Sequence, residues 1–202
     1  FEEAIRGIVR SLPPKRQGPL FSATIPDGLR NLRRDLLHEP LEVTIEGAAE
    51  KPEIDERFFE VDLARKPAAL AALLAQYRPE SSVVFCNTRR DVDDVVDALA
   101  KAGIDALALH GDIEQRDRDE TLVRFSNRSC SVLVASDVAA RGLDIKELAA
   151  VINYELPPDK DIYQHRIGRT ARAGARGLAL NLVTPREMPR ATALEASQGT
   201  PP

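Results

Sequence analysis

Three arginines recur at every third position near the C-terminal end of the chain. The stretch runs His165-Arg166-Ile167-Gly168-Arg169-Thr170-Ala171-Arg172 and contains no acidic residue. Because residues three apart on a helix advance by about 300°, we expect Arg166, Arg169 and Arg172 on one helical face. Guanidinium groups present a rigid fork of donors that matches phosphate oxygens. The spacing therefore predicts a strip that binds phosphate.

Three further turns carry small or hydroxyl residues directly after short apolar runs. They are Asn87-Thr88, His110-Gly111-Asp112 and Ser136-Asp137. Ligands of open α/β sheets bind beyond the carboxyl ends of the strands. Thr88 is placed to cap the following helix, and Gly111 allows another backbone to approach closely. Each residue by itself is more often structural, but together they predict a rim that suits a phosphodiester backbone.

The composition is ordinary for a globular protein, and its basic character is local. The 202 residues are 43% hydrophobic and 30% charged, with a formal net charge of −4, so a nucleic-acid contact must be a local patch. Cys86 and Cys130 lie in or beside apolar runs without metal-ligand spacing, which predicts buried thiols and no metal site. No apolar run has the length of a membrane span and no signal peptide opens the chain, which favours a cytoplasmic protein without membrane contact.

Short apolar runs alternate with amphipathic stretches from about residue 53 onward. The runs are Phe58–Val61, Val83–Cys86, Ala106–Leu109, Val132–Ala135, Val151–Tyr154 and Leu178–Val183. Most lack period-two alternation, which is typical of strands covered on both faces. The alternation predicts an α/β fold with a mainly parallel sheet and helices on both faces, a three-layer α/β/α arrangement.

The first 47 residues contain too few elements for an α/β layer of their own. We expect a short helix here, then strands over residues 19–24 and 41–45. The following Gly-Ala-Ala-Glu-Lys-Pro run indicates a linker. The predicted organisation is the end of another domain over residues 1–47, a linker over 48–53, a main domain over 54–188 and a frayed tail over 189–202.

Five segments in order resemble motifs of the DEAD-box RNA helicases of superfamily 2. Ser22-Ala23-Thr24 resembles motif III and Val83–Thr88 resembles motif IV. His110-Gly111-Asp112, followed by Gln115 and Arg118, resembles motif IVa. Residues 136–145 and 165–172 resemble motifs V and VI. The stretches 109–125 and 169–174 look most like the DbpA branch, bacterial helicases directed to large-subunit ribosomal RNA.

Two residues depart from the motifs, and two motifs are absent. Ser136 replaces the usual threonine of motif V and keeps the hydroxyl. Ala171 replaces the usual glycine of motif VI, and because alanine favours helix we expect it to stiffen the arginine strip. The 202 residues contain neither a phosphate loop nor an Asp-Glu-Ala-Asp segment. The resemblance therefore implies a fragment, inactive by itself, that lacks most of the first RecA-like domain and the branch's C-terminal RNA-binding domain.

The resemblance implies an ATP site between two RecA-like domains, with ATP and Mg²⁺ held mainly by the missing first domain. Arg169 and Arg172 would be arginine fingers on the γ-phosphate. The ATP-binding and interdomain positions would be Asp144 at the ribose, Arg141, His165, Arg166, Ser22 and Thr24. RNA phosphates and sugars would meet Thr88, Gly111, Gln115, Arg118, Ser136 and Asp137. The implied activity is ATP-driven closure that unwinds short RNA duplexes, in maturation of large-subunit ribosomal RNA.

Two other classes of function stay open at this point. The domain could be a non-catalytic RNA- or protein-binding module, or part of another superfamily 2 ATPase such as a DNA helicase. A pure binding module needs no arginine fingers, so complete motifs V and VI argue against the first. The DEAD-box form of motifs III and IVa argues against the second.

Overall fold

The structure, a computed structural model, describes residues 2–13, 15–21, 33–37, 40–43, 53–140, 148–171 and 176–197. Contacts divide the chain into two units, Phe1–Gly47 and Ala48–Pro202. In the first unit, helix α1 spans Glu2–Arg10. Residues 15–21 and 40–43 have no regular structure, so the strands expected over 19–24 and 41–45 are absent from their described parts.

Six parallel strands form the sheet of the second unit. They are β1 (Ile54–Glu60), β2 (Ser82–Cys86), β3 (Leu107–Leu109), β4 (Val132–Ser136), β5 (Ala150–Asn153) and β6 (Gly177–Val183). The order across the sheet is β1-β6-β5-β2-β4-β3, and every neighbouring pair is parallel. Every residue of β2, β4 and β5 is buried. The predicted α/β fold with a parallel sheet is confirmed.

Six helices follow or precede these strands. They are α2 (Lys66–Tyr77), α3 (Arg89–Lys101), α4 (Gln115–Ser126), α5 (Asp137–Ala140), α6 (Lys160–Ile167) and α7 (Met188–Ser197). Side-chain caps fix two of the starts: Thr88 accepts from the Asp91 N–H at 3.2 Å, and Asp159 accepts from the Ile162 N–H at 2.8 Å. Among the described residues, none of the helices has both the length and the apolar character needed to cross a bilayer.

Helices cover both faces of the sheet. Alternate residues of β2 face opposite layers: Val84 packs in the cluster that contains the apolar residues of α2 and α3, whereas Val83 and Phe85 pack in the cluster that contains Phe125 of α4. A third cluster, on the same side as α4, joins α6 and α7 to β6. This is the three-layer arrangement, and it explains why the strand sequences are apolar at successive positions.

Two boundaries differ from the sequence predictions. Strand β1 begins at Ile54 rather than at Phe58, because this edge strand alternates exposed and partly buried residues and shows no apolar run at its start. Residues 188–197 form α7 instead of a frayed tail. Ala191 and Leu194, three positions apart on one helical face, are buried in the third cluster.

A buried ion pair ties α2 to the turn before α7. The Lys66 ammonium, 1% exposed, donates to the Glu187 carboxylate at 3.1 Å and to the Tyr154 carbonyl at 2.8 Å. Glu187 also accepts from the backbone N–H of Thr184 at 3.0 Å and from its hydroxyl at 2.8 Å. Burial works to raise the pKa of Glu187, but these hydrogen bonds and Lys66 outweigh it and lower the pKa.

Candidate functional site

Helix α6 ends inside the arginine stretch. Its last residue is Ile167, and the N–H of Gly168 closes the final turn on the Gln164 carbonyl at 2.8 Å. Beyond the helix, the Thr170 hydroxyl donates to the Leu148 carbonyl at 2.6 Å. Arg166 and Arg169 therefore lie on different elements. The prediction that Arg166, Arg169 and Arg172 share one helical face is wrong, and Arg172 itself lies outside the described residues.

Ala171 has a left-handed backbone conformation with φ of 56°. A side chain costs free energy in this region, which is why glycine is favoured there. The expectation that Ala171 stiffens a helix is therefore wrong. Gly177 lies directly against this residue: a Cβ on Gly177 would be 2.7 Å from the Ala171 Cβ and 2.8 Å from its backbone nitrogen.

Arg166 is a buried cation whose five N–H groups are all paired. Nε and one Nη donate to the two carboxylate oxygens of Asp137, each at 2.7 Å. The same Nη donates to the side-chain oxygen of Asn87 at 2.9 Å. The other Nη donates to the side-chain oxygen of Asn153 at 2.9 Å and to the Glu155 carbonyl at 2.8 Å. The guanidinium also lies over the Phe85 ring, 5.0 Å from its centroid.

These contacts overturn the expectation that Arg166 reaches a neighbouring domain. Its side chain is 2% exposed and has no donor left for another partner. The arginine instead anchors α6 to the carboxyl ends of β2, β4 and β5. Sequence reasoning missed Asn87 and Asn153 as its partners, although an asparagine within the apolar run of β5 was a usable signal.

An open cleft of about 310 Å³ lies beside the C-terminal end of α6. Asp137, Gln164, His165 and Arg169 contribute to its wall. His165 is exposed and Arg169 is half-buried. The backbone of Arg169 is held on both sides, since its N–H donates to the Arg166 carbonyl at 3.2 Å and its carbonyl accepts from the Leu148 N–H at 3.3 Å. Arg169 thus gives the cleft a cationic residue on a fixed backbone, and a guanidinium at this place suits a phosphate group.

The three predicted turns lie at one edge of the sheet. They follow β2, β3 and β4, which are neighbours in the order β2-β4-β3. An ion pair between Arg89 and Asp112 joins the turns after β2 and β3. Arg118 of α4 donates to the Ala139 carbonyl of α5 at 2.7 Å. The structure therefore brings the rim residues together, as parallel topology requires.

The rim residues differ in what they offer a ligand. Thr88 is exposed, but its hydroxyl is hydrogen-bonded to the Asp91 carboxylate. Gln115 donates to Asp119 at 2.7 Å. Ser136 is 9% exposed. Gly111 is exposed, and a Cβ built on it would meet nothing within 4 Å, so the fold itself does not require glycine there.

Several predicted site residues lie outside the described part of the chain. They are Ser22, Thr24, Arg141, Asp144 and Arg172. Among the residues that are described, no group of three or more His, Cys, Asp or Glu side chains could hold a metal ion. Cys86 and Cys130 are free and buried, as predicted, and burial raises the pKa of both thiols.

Comparison with known proteins identifies the family. Residues 65–174, more than half of the chain, match the family model described as the helicase conserved C-terminal domain. The chain belongs to this helicase family. It is 49% identical over 95% of its length to the ATP-dependent RNA helicase DbpA of Escherichia coli (strain K12) and covers 42% of that protein. It is 41% identical over 93% of its length to the DEAD-box ATP-dependent RNA helicase CshA of Geobacillus kaustophilus (strain HTA426) and covers 40% of it.

A solved structure supports the same assignment for this helicase domain. The E. coli DEAD-box protein SrmB, crystallised with the regulator of ribonuclease activity A, superposes with a TM-score of 0.70 at 37% identity. The match covers 75% of this chain and 89% of that one. The resemblance to the C-terminal RecA-like domain of DEAD-box helicases is confirmed. The chain spans about two fifths of the length of the two curated relatives.

Proposed function

We propose that the full-length protein is an ATP-dependent RNA helicase whose second RecA-like domain comprises residues 54–188. The observation that carries this proposal is the placement of Arg169. Its side chain contributes to the wall of the cleft, and its backbone is fixed between Arg166 and Leu148. A backbone held in this way reduces the reorganisation needed before the guanidinium meets developing negative charge.

On the ATP side, this chain contributes cations. Arg169 and Arg172 stabilise the charge that develops on the transferring phosphoryl group. His165 and Arg141 line the interdomain side, and Asp144 faces the ribose. In this proposal Mg²⁺ is held mainly by the first RecA-like domain. Ser22 and Thr24, at the end of that domain, link it to closure.

On the RNA side, the rim positions a strand through its phosphates and sugars. Thr88 and Gly111 are exposed at the carboxyl ends of neighbouring strands, and Gly111 leaves room for a backbone to approach. Gln115, Arg118, Ser136 and Asp137 complete the surface. Contacts of this kind set position and not sequence. Closure bends the bound strand and opens a short duplex, and the proposed target is large-subunit ribosomal RNA in the cytoplasm.

The ion pair between Arg166 and Asp137 connects the ATP side of the domain with the RNA side. Arg166 lies on α6, which leads to Arg169, whereas Asp137 begins the segment after β4 on the RNA rim. Two charge-assisted hydrogen bonds of 2.7 Å join them. A ligand that shifts one element therefore acts on the other. Because ATP and RNA both favour the closed state in this proposal, each strengthens the binding of the other.

The decisive experiment is RNA-stimulated ATP hydrolysis by the full-length protein with Arg169→Ala. We expect turnover to fall by about a thousandfold, because an arginine finger typically contributes 10³–10⁵ in rate. The matched control is Arg176→Ala, which removes an exposed arginine paired with Glu53 at 2.9 Å. Normal turnover by the Arg169 variant would refute the finger assignment. RNA binding without any ATPase activity in the wild type would favour a non-catalytic binding module.

A further inference from the structure

A chain of buried hydrogen bonds crosses the sheet from Arg166 to the edge strand β1. The Arg166 guanidinium donates to Asn153, and the Asn153 amide donates to Asn181 at 2.8 Å. The Asn181 amide donates to the Tyr163 hydroxyl at 3.2 Å. The Tyr163 hydroxyl donates to the Glu56 carboxylate at 2.7 Å. The chain thus joins three strands and touches α6 twice.

The donor and acceptor of every hydrogen bond in the chain follow from the guanidinium at one end of it. A guanidinium only donates, so Asn153 must present its oxygen to Arg166 and its NH₂ group to Asn181. Asn181 must then present its oxygen to Asn153 and its NH₂ group to Tyr163. The tyrosine proton is left for the carboxylate of Glu56. Rotation of the Asn153 amide would break two bonds. Rotation of the Asn181 amide would break three, because its NH₂ group also donates to the Arg57 carbonyl at 3.1 Å.

This arrangement restricts α6 more than apolar packing would. Tyr163 and Arg166 are three residues apart on one face of the helix and are 0% and 2% exposed. Beneath them, Asn153 and Asn181 are register partners on β5 and β6. Apolar side chains tolerate small shifts, whereas buried polar groups lose their partners when a helix slides or turns. The chain therefore defines the position of α6 on the sheet.

The position of α6 also sets the position of Arg169. The Arg169 N–H donates to the carbonyl of Arg166, one of the two residues that the chain holds. We propose that the chain Tyr163–Asn181–Asn153–Arg166 places the Arg169 guanidinium in the cleft, with Tyr163 as a positioning residue for ATP hydrolysis. This inference rests on the proposed function. It extends the set of residues that position Arg169 for ATP hydrolysis away from the cleft, as far as Glu56 on the edge strand β1.

The test is Tyr163→Phe in the full-length protein, compared with Tyr77→Phe. Both changes remove one tyrosine hydroxyl, but that of Tyr77 accepts from Arg57 at 2.9 Å at the surface. We expect Tyr163→Phe to lower kcat for ATP about tenfold at a temperature where the variant stays folded. The KM for ATP stays within about twofold, because ATP is bound mainly by the other domain. Tyr77→Phe leaves both constants unchanged.

Hydrogen exchange in the 202-residue chain supplies a readout independent of activity. We expect Tyr163→Phe to speed exchange of the α6 amides while β5 and β2 keep their protection. Local loosening together with reduced kcat supports the inference. A uniform rise in exchange, or local loosening with an unchanged kcat, overturns it. If the wild-type protein hydrolyses no ATP, the proposed function fails, and with it the role of Arg169, whereas exchange still reports whether the chain holds α6.

If Tyr163→Phe fails to fold, Glu56→Ala tests the other end of the chain. Glu56 is only partly buried on the edge strand, so its loss is better tolerated, and Glu60→Ala on the same strand is the control. We expect a fall in kcat of about threefold for Glu56→Ala and none for Glu60→Ala. Equal kcat values for the two variants would overturn the inference.

Discussion

At the scale of single residues, two arginines of one motif have opposite environments. Arg166 gives all five donors to its own domain, while Arg169, three positions later, contributes to the cleft wall. A planar guanidinium can satisfy four partners at once, which an ammonium cannot. The interior of the domain therefore accounts for the arginine at position 166, whereas in the proposed function the phosphate bound in the cleft accounts for the arginine at position 169.

Arg166→Lys should destabilise the domain strongly although it keeps the charge. A lysine has three donors and cannot reach Asp137 bidentately together with Asn87 and Asn153. We expect the free energy of unfolding to fall by about 2–4 kcal/mol, since hydrogen bonds to charged groups contribute about 1.5–3 kcal/mol each. Urea denaturation measures this, with Arg169→Lys as the control. Equal stability of the two variants would contradict the assigned role of Arg166.

Gly177→Ala should destabilise the domain through a steric clash with its neighbour. The new Cβ would lie 2.7 Å from the Ala171 Cβ, so the backbone must shift. We expect a loss of about 1–3 kcal/mol, the usual cost of overpacking. Gly111→Ala is the matched control, because its Cβ would meet nothing within 4 Å. Thermal unfolding of both variants measures the loss. An unchanged stability of Gly177→Ala would contradict the close contact between Gly177 and Ala171.

At the scale of elements, ion pairs and caps set where the helices lie. The buried pair of Lys66 and Glu187 fixes α2 against the turn that leads into α7. Glu187 also accepts from the Leu156 N–H at 3.3 Å, so the same carboxylate holds the loop before α6. The Glu187 side chain thus links α2, the turn before α7 and the loop before α6. None of these three has a role in the proposed reaction, but together they support the helix next to the cleft.

The pH dependence of the free energy of unfolding should reveal the contribution of the Glu187 carboxylate. Its pKa in the folded state is lowered from the ordinary 4.5, so its contribution is present above that value and is lost as pH falls through the lowered pKa. We expect Glu187→Gln to lose stability at neutral pH and to approach the wild type as the pH falls through the lowered pKa of Glu187. Urea titrations across this range measure the difference. A difference that is independent of pH would contradict the pairing.

At the scale of the whole molecule, the proposed function gives this chain one half of a two-domain ATP site. Its sequence contains no phosphate loop, and its described residues contain no metal-ligand cluster. We expect the purified 202-residue chain to show no ATP hydrolysis above background, with or without RNA, because the β- and γ-phosphates and Mg²⁺ have no complete site. RNA-stimulated turnover by this chain would contradict the two-domain proposal.

RNA binding by the same chain should be weak and strongly dependent on salt. The net charge is −4, so only the local rim attracts phosphate. Each phosphate that a cationic side chain neutralises contributes about −0.7 to the log–log slope of affinity for single strands against salt, so we expect a negative slope. Fluorescence anisotropy with a single-stranded RNA measures it, and Gly111→Ala should weaken binding without loss of stability. A slope near zero would show that binding does not run through the phosphates.

The layered α/β fold and the family could be predicted from the sequence because their signals are local. Apolar runs indicate buried strands wherever they occur, and Thr88 begins a helix through its neighbour Asp91. Motif residues at fixed spacing led to the helicase family in the same way. The rim followed from one further rule, that turns after parallel strands meet at one edge.

Only the tertiary structure decided how the segment after α6 is held and what Arg166 does. Thr170, three residues beyond the helix, donates to the Leu148 carbonyl, 22 residues earlier in the chain. Arg166 is buried because Asn87, 79 residues away, and Asp137, 29 residues away, converge on it. A periodic pattern of arginines contains no information about such distant partners. The spacing by itself predicted a phosphate-binding strip, and three-dimensional packing divided it into one anchoring arginine and one at the cleft.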